Sequence, residues 1–207
     1  PTNELSLFLG HWSSPETMLA TLRPLVHREV TLAPVAREEL TQAINLYSSA
    51  VSNIKSWWLD KEVMQQIQDA GLKANTKIAK LDTLEQMEAF AQGSSLELKI
   101  VKGAKTDSYE IFTADKVKAA AKKGSKDLGH LDFTQFDNLL ELQHNCHRII
   151  KQYYLGMSLE WLRLRLVEQK QRYNLISPDD LLQNLHQALK KPELGAKLAQ
   201  TIANQYP

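Results

Sequence analysis

The residues best suited to chemistry in this sequence form one short cluster, His144, Cys146 and His147. Residues three apart on a helix share a face, so His144 and His147 could supply two ligands to a metal ion. No third or fourth ligand follows at a typical metal-site spacing. Cys146 falls on an apolar stripe, where buried thiols are common. We therefore interpret the cluster as structural, and we expect neither a metal site nor a catalytic residue in this chain.

A pair of carboxylates, Asp179 and Asp180, could in principle serve acid–base or Mg²⁺ chemistry. Ser177 stands three residues before Asp180, and Pro178 occupies the first position after that serine. This order is typical of a helix start, with a capping serine, a proline at the first helical position and acids in the first turn. The spacing favours capping over catalysis.

Two patterns that bind nucleotide phosphates, G-x-x-x-x-G-K-[ST] and G-x-G-x-x-G, do not occur in the sequence. The segment Gly103-Ala104-Lys105-Thr106 has a superficial likeness, but it lacks the upstream glycine and the apolar strand. Four tryptophans, Trp12, Trp57, Trp58 and Trp161, could stack on bases. They fall within apolar helical stripes, so we expect them in the core. We expect no bound cofactor in this chain.

The clearest electrostatic feature lies between residues 99 and 126, where the net charge is +5 although the whole chain carries only +1. Flexible lysines without interleaved aromatic residues suit contact with DNA phosphates rather than base reading. The alternative is the solvated surface of a long insertion. The candidate DNA-binding residues are Lys73, Lys77, Lys80, Lys99, Lys102, Lys105, Lys116, Lys118, Lys122, Lys123 and Lys126.

Helical spacing dominates the pattern of apolar residues. It predicts two long helices, from about 35 to 70 and from 132 to 173, and shorter helices near 5–12, 15–26, 81–92, 114–123, 178–191 and 193–204. We predict a mainly all-α fold in which the two long helices are antiparallel, with residues 1–207 as a single helical subdomain. Residues 71–131 form a basic, arm-like excursion. Alternation at 96–102 and at Tyr109 and Ile111 is compatible with a small β-hairpin there.

The composition bears on whether the chain folds, forms disulfides or spans a membrane. The 207 residues are 43% hydrophobic, enough for a real core, and the one cysteine cannot form an intrachain disulfide. No apolar run approaches the length of a membrane-spanning helix. We expect a soluble, cytoplasmic protein without a membrane partner. A sequence that starts at Pro1 and stops after a helical pattern at Pro207 leads us to expect an internal piece of a larger protein.

Two C-terminal segments carry a resemblance to a known family. Leu166-Val167-Glu168-Gln169-Lys170-Gln171-Arg172 followed by Ile176-Ser177-Pro178-Asp179-Asp180-Leu181-Leu182 resembles superfamily 1 helicases of the UvrD/RecB type. There, a long helix delivers a basic stretch into an F-D-D-L-L helix start, and Pro178 replaces the usual Phe. The order of a Phe8–Trp12 helix, two long helices and a basic excursion is similar to exodeoxyribonuclease V beta subunits.

The resemblance implies the 1B subdomain of such a helicase–nuclease, a DNA-contacting part of an enzyme of double-strand-break repair and recombination. The parent would bind ATP and Mg²⁺, and its ATPase and nuclease parts would lie outside this chain. Expected partners are double-stranded DNA near a fork or end and the other subunits of a heterotrimeric RecBCD-type complex. The excursion lysines would contact the DNA. The alternative is a helical protein–protein interaction module that does not bind DNA.

Overall fold

The structure is a computed structural model that describes residues 2–26, 28, 32–102, 105–176 and 178–205. The chain divides into two compact units, Pro1–Met157 (unit 1) and Ser158–Pro207 (unit 2), and the boundary falls inside one helix. The fold is mainly helical, as the apolar spacing predicted. The helices are α1 (Asn3–His11), α2 (Pro15–Val26), α3 (Arg37–Asp60), α4 (Val63–Asp69), α5 (Leu81–Gln92), α6 (Ala114–Ala120), α7 (Thr134–Tyr173), α8 (Pro178–Leu189) and α9 (Pro192–Gln205). None of the described helices combines the length and the apolar character that crossing a membrane requires.

Several helix ends follow from local chemistry. The Thr2 side chain accepts a hydrogen bond from Leu5 N at the start of α1, and Ser14 Oγ accepts one from Thr17 N at the start of α2. Proline occupies the first position of α2, where its missing N–H costs nothing. Gly93 follows the last residue of α5. The prediction of short helices at these places is confirmed.

The two long helices of unit 1 run antiparallel, as predicted. Arg37, at the start of α3, lies over the Tyr153 ring at 5.7 Å. Ten residues on, the Tyr47 ring is 6.3 Å from that of His147. The Trp57 ring, near the end of α3, is 5.5 Å from that of Phe133. The partner's number falls as the α3 number rises, which defines the antiparallel arrangement.

The predicted helix from 35 to 70 is wrong in one respect, because it is broken at Lys61 and Glu62. Glu62 adopts a left-handed conformation with φ 48°, which no α-helix interior accepts. The Gln66 side chain donates to the Lys61 carbonyl at 2.7 Å and satisfies one acceptor that the break frees. The chain restarts as α4, so that Val63 and Ile67 are buried.

A small antiparallel hairpin is present in the excursion, formed by β1 (Ile100–Lys102) and β2 (Lys105–Asp107) with Ile100 opposite Asp107. The predicted turn at Gly103 and Ala104 lies outside the described residues. The expected second strand around Tyr109 and Ile111 is wrong, since Tyr109–Phe112 forms a 3₁₀ helix. Tyr109 and Ile111 are nevertheless both buried. The alternation therefore identified the buried residues correctly but predicted the wrong backbone conformation.

Aromatic side chains fill the centre of unit 1. Phe112 lies between Trp58 and Phe136, with ring centroids 5.2 and 5.4 Å away. The hydroxyls of Tyr47 and Tyr109 both donate to the carbonyl of Leu96, at 2.8 and 2.5 Å. Their burial raises the pKa of each phenol above its ordinary value. The excursion is therefore held to the long helices by apolar packing and by shared hydrogen bonds.

Unit 2 is built differently. It contains the C-terminal part of α7 together with α8 and α9, which pack on each other. The apolar stripe predicted along 132–173 is buried at Phe136, Leu139 and Ile150 but exposed over its last part. In the described part of unit 2 the large apolar side chains more than half exposed are Trp161, Leu164, Val167, Tyr173, Leu175, Ile176, Leu181, Leu182 and Leu194.

Candidate nucleic-acid interface

Helix α6 carries two of the excursion lysines, Lys116 and Lys118. Its sequence alternates small apolar residues with lysines, so Val117 and Ala120 are buried while Lys116 and Lys118 remain exposed. The Ala114 N–H at its start donates to Asp137 Oδ2 of α7 at 3.2 Å. The short helix is thereby fixed to one of the two long helices, and its lysines are carried on a supported backbone.

Backbone hydrogen bonds join the end of α6 and the segment after it to residues 70–73. The Ala120 carbonyl accepts from Lys73 N at 2.9 Å, and the Ala70 carbonyl accepts from Lys126 N at 3.0 Å. Lys73 Nζ donates to the Ala119 carbonyl at 2.8 Å. These contacts bridge about fifty residues of sequence and bring Lys73 to the C-terminal end of α6.

The turn that follows α6 has its own internal support. Ser125 Oγ accepts from Lys122 N at 3.0 Å and donates to the Gly71 carbonyl at 3.2 Å. Gly124 has φ 88°, a region that other residues rarely enter, so the turn requires glycine there. Lys122 and Lys123 precede this glycine and Lys126 follows it. Two hydrogen bonds of Ser125 therefore support the backbone that carries the three lysines.

Five exposed lysines of this region have no side-chain partner among the described residues. We name them the α6 lysine cluster: Lys116, Lys118, Lys122, Lys123 and Lys126. Their ammonium groups are free to contact anions and need not break an existing ion pair first. The cluster is the part of the predicted set that best suits phosphate contact.

Four of the other predicted lysines, Lys73, Lys77, Lys80 and Lys99, have partners of their own. Lys77 Nζ is 2.6 Å from Asp107 Oδ1, and Lys99 Nζ is 3.6 Å from Glu97 Oε2. Lys80 is partly buried and has an interaction of its own. Lys102 and Lys105 face each other across the hairpin backbone, and their side chains lie outside the description. Lys77 and Lys99 are therefore committed to internal ion pairs, unlike the α6 lysine cluster.

A cavity of about 610 Å³ opens beside the cluster. Lys118 and Lys126 both line it, so their side chains border the same space. Of the two aspartates there, Asp127 accepts from Gly129 N and Asp132 accepts from Thr134 N at the start of α7. Two lysines and two aspartates balance in charge among mainly apolar lining residues, so the cavity itself adds nothing to the basic surface.

The His144, Cys146 and His147 group does not converge on one point. Cys146 is fully buried, and burial raises the pKa of its thiol to about 11. His144 is exposed, whereas His147 contacts His11 of α1 and Glu97. Within the described ranges, no group of three or more His, Cys, Asp or Glu side chains could hold a metal ion.

The two C-terminal segments of the helicase resemblance meet through one ion pair. Lys170 Nζ of α7 is 2.6 Å from Asp180 Oδ1 in the first turn of α8. The sequence predicts only that Asp180 stabilises the start of a helix, and it does not indicate an ion pair with Lys170. The predicted cap at Ser177 lies outside the described residues. Asp180 thus joins the two helices that flank the turn.

The tryptophans divide into two groups. Trp58 is fully buried and its indole N–H donates to Glu88 Oε2 at 2.6 Å, while Trp12 is 4% exposed. Trp57 packs partly buried on Phe133. The expectation of core packing is wrong for Trp161, which is 56% exposed in unit 2. Its exposure follows from the absence of a packed layer over that face in the described part of the chain.

A scan against protein-family models finds no match for this chain, and a search of the curated proteins finds none either.

Proposed function

We propose that this chain is a DNA-contacting accessory subdomain of an ATP-dependent helicase–nuclease of the exodeoxyribonuclease V beta type. The α6 lysine cluster is the observation that supports it best, because five exposed ammonium groups without internal partners sit on a supported backbone. Lysines contact phosphates without reading bases. The contact would therefore be with the backbone of a DNA duplex, independent of its sequence.

Catalysis is not part of this chain's role in the proposal. The parent enzyme would supply ATP hydrolysis and strand cleavage from residues outside the chain, with ATP and Mg²⁺ bound there. The C-terminal resemblance, from Leu166 to Leu182, supports this placement. A direct test is the coding sequence after Pro207: an apolar strand of about five residues ending in Asp-Glu is expected. A stop codon or a polar linker would overturn the helicase assignment.

DNA contact is tested by fluorescence anisotropy with a labelled duplex. The chain is expected to bind weakly, with an affinity that falls steeply as salt rises, because phosphate contacts release counterions. The variant Lys116→Glu, Lys118→Glu, Lys122→Glu, Lys123→Glu should lose this binding. Its helical circular dichroism should be unchanged, since these side chains are exposed and unpaired in the described structure.

The matched control makes the same four Lys→Glu replacements at other surface positions. Lys61, Lys190, Lys191 and Lys197 are exposed and lie outside the excursion, so their replacement by Glu changes the net charge equally. Binding should survive in this control. Equal loss in both variants would mean a response to net charge alone, and unchanged binding in the α6 variant would refute the DNA assignment.

A second candidate function is docking to another protein, and the apolar surface of unit 2 favours it. The side chains of Trp161, Leu181 and Leu182 are 56%, 58% and 64% exposed, and apolar surface of this kind marks interaction sites where it is contiguous. Under the helicase proposal the partner would be another part of the parent enzyme or a neighbouring subunit. The replacement of Leu181 and Leu182 by Gln should weaken co-purification with such a partner and leave duplex binding unchanged.

A further inference from the structure

Helix α1 is fastened to unit 1 at both ends by polar contacts. Near its start, Glu4 accepts hydrogen bonds from both terminal nitrogens of Arg37, at 2.5 and 2.7 Å, and from the Tyr154 hydroxyl. At its end, His11 contacts His147 of α7. Only the second contact joins two groups whose ordinary titration range lies near neutral pH.

The geometry of the second contact determines which nitrogens carry protons. His147 Nε2 lies 3.2 Å from Glu97 Oε1, and an ionised carboxylate can only accept, so Nε2 carries the proton. In a neutral imidazole the other nitrogen then has none. His147 Nδ1 therefore accepts from His11 Nε2, which is 2.9 Å away. The three side chains form a continuous line from His11 through His147 to Glu97.

This line can hold one added proton but not two. After one addition, whichever ring carries the proton, one of the two facing nitrogens can keep an N–H and the other a lone pair, so the hydrogen bond survives. A second addition places an N–H on each of the facing nitrogens. The hydrogen bond is then lost, and two positive rings stand with centroids 4.9 Å apart.

Charged neighbours act against the second proton. Burial lowers the pKa of His11 below its ordinary value, the positive charges of His147 and Lys151 lower it further, and Glu97 opposes them. Glu97 is shared with His147 and with Lys99, so its single negative charge cannot balance a doubly protonated pair. Lys151 of α7 and Glu97 therefore act on His11, and Lys99 acts on Glu97.

Two further titratable groups face this site, and both remain neutral. The Tyr47 ring of α3 is 6.3 Å from that of His147, and burial raises the pKa of its phenol. Cys146 precedes His147 on α7, and burial raises the pKa of its thiol as well. Neither supplies a negative charge as the pH falls. The only carboxylate in the line is that of Glu97.

We propose that α1 is an acid-released segment, which stays docked while the His11–His147 pair holds at most one added proton and detaches when both rings are protonated. Detachment would expose Leu7, which is 1% exposed in the docked state, and the surface of α3 on which α1 packs. His11 and His147 would then be the sensor and Leu7 the concealed apolar contact. This role is independent of DNA binding.

Amide hydrogen exchange of the full chain, corrected for the intrinsic pH dependence, tests the proposal. On acidification from about pH 7.5 to about pH 5.5, through the histidine range, protection in α1 should fall. The expected loss grows steadily as the pH falls, because the docked pair resists the second proton. Protection in α5 should change far less. Retained protection of α1 over this range would overturn the proposal.

The variant His11→Gln keeps a donor for His147 Nδ1 but cannot take a proton, so its α1 should stay protected at the lower pH. His147→Gln tests the same idea from the other side of the contact. His144→Gln is the matched control, since His144 is exposed on the same helix, and it should respond like the unchanged chain. An acid response undiminished in both His11→Gln and His147→Gln would show that this pair is not the sensor.

Discussion

Units 1 and 2 use the same kind of amphipathic helix but treat its apolar face differently. In unit 1 the stripes of α3, α5 and the first part of α7 meet one another, and residues such as Trp58 and Leu84 are fully buried. In unit 2 the leucines of α8, for example Leu181 and Leu182, are more than half exposed. A helical apolar stripe therefore indicates which face of the helix is hydrophobic. Whether that face is buried depends on whether another element packs against it.

The largest effect that separates the two units is expected from a pair of tryptophan replacements. Trp58→Ala should lower the free energy of unfolding by about 3–5 kcal/mol, because it opens a cavity in the aromatic centre. Trp161→Ala, at an exposed site, should change it by less than about 0.5 kcal/mol. Urea denaturation followed by circular dichroism measures both. Similar losses in the two variants would show that unit 2 is covered as well as unit 1.

A smaller effect is expected from a pair of glycine replacements, one in each unit. A Cβ at Gly195 would lie 2.0 Å from the Leu189 carbonyl oxygen, so Gly195→Ala must push α8 and α9 apart. We expect a local loss of about 1–3 kcal/mol, read as faster amide exchange in α8 and α9. At Gly156 nothing lies within 4 Å, so Gly156→Ala should stabilise α7 by about 0.5–1 kcal/mol. Unchanged exchange in α8 and α9 of Gly195→Ala would contradict the close packing.

The smallest effect concerns ion pairs and acid. The hydrogen bonds from Arg37 hold the pKa of Glu4 below its ordinary value of 4.5, so the pair stabilises the fold above that pH. This contribution is lost as the pH falls through the lowered pKa. Glu4→Gln should therefore be less stable than the unchanged chain near neutral pH, and the difference should vanish in strong acid. Glu168→Gln, which breaks the exposed pair with Arg165 in unit 2, should show no such pH-dependent gap.

Helix positions were predictable where a local residue determines them. The bounds predicted near 15–26 and 81–92 match α2, which follows Ser14, and α5, which ends before Gly93. The break at Glu62 was not predictable, because a left-handed glutamate carries no local signal comparable to glycine or proline. The exposure of Trp161 was missed for another reason. Its stripe has the period of a core helix, and period alone does not reveal what packs against it.

The candidate interface was predictable as a charge excess but not as a surface. The net charge of residues 99–126 pointed to the lysines, whereas the pairing of Lys77 with Asp107 depends on a contact across thirty residues. The same holds for the line from His11 to Glu97, whose members are far apart in sequence. Contacts of this kind follow from tertiary packing, so only the structure distinguishes the α6 lysine cluster from candidate lysines with internal partners, such as Lys77 and Lys99.

The single cysteine of this chain, Cys146, is buried within unit 1. Its rate of chemical labelling therefore reports how often the helices of unit 1 open. Cys146 is fully buried and its thiol is held protonated, so a thiol-reactive dye cannot attack it in the closed state. Each labelling event must wait for the helices around it to part. The rate at which the dye labels Cys146 would therefore measure the opening of unit 1, without any substitution in the chain.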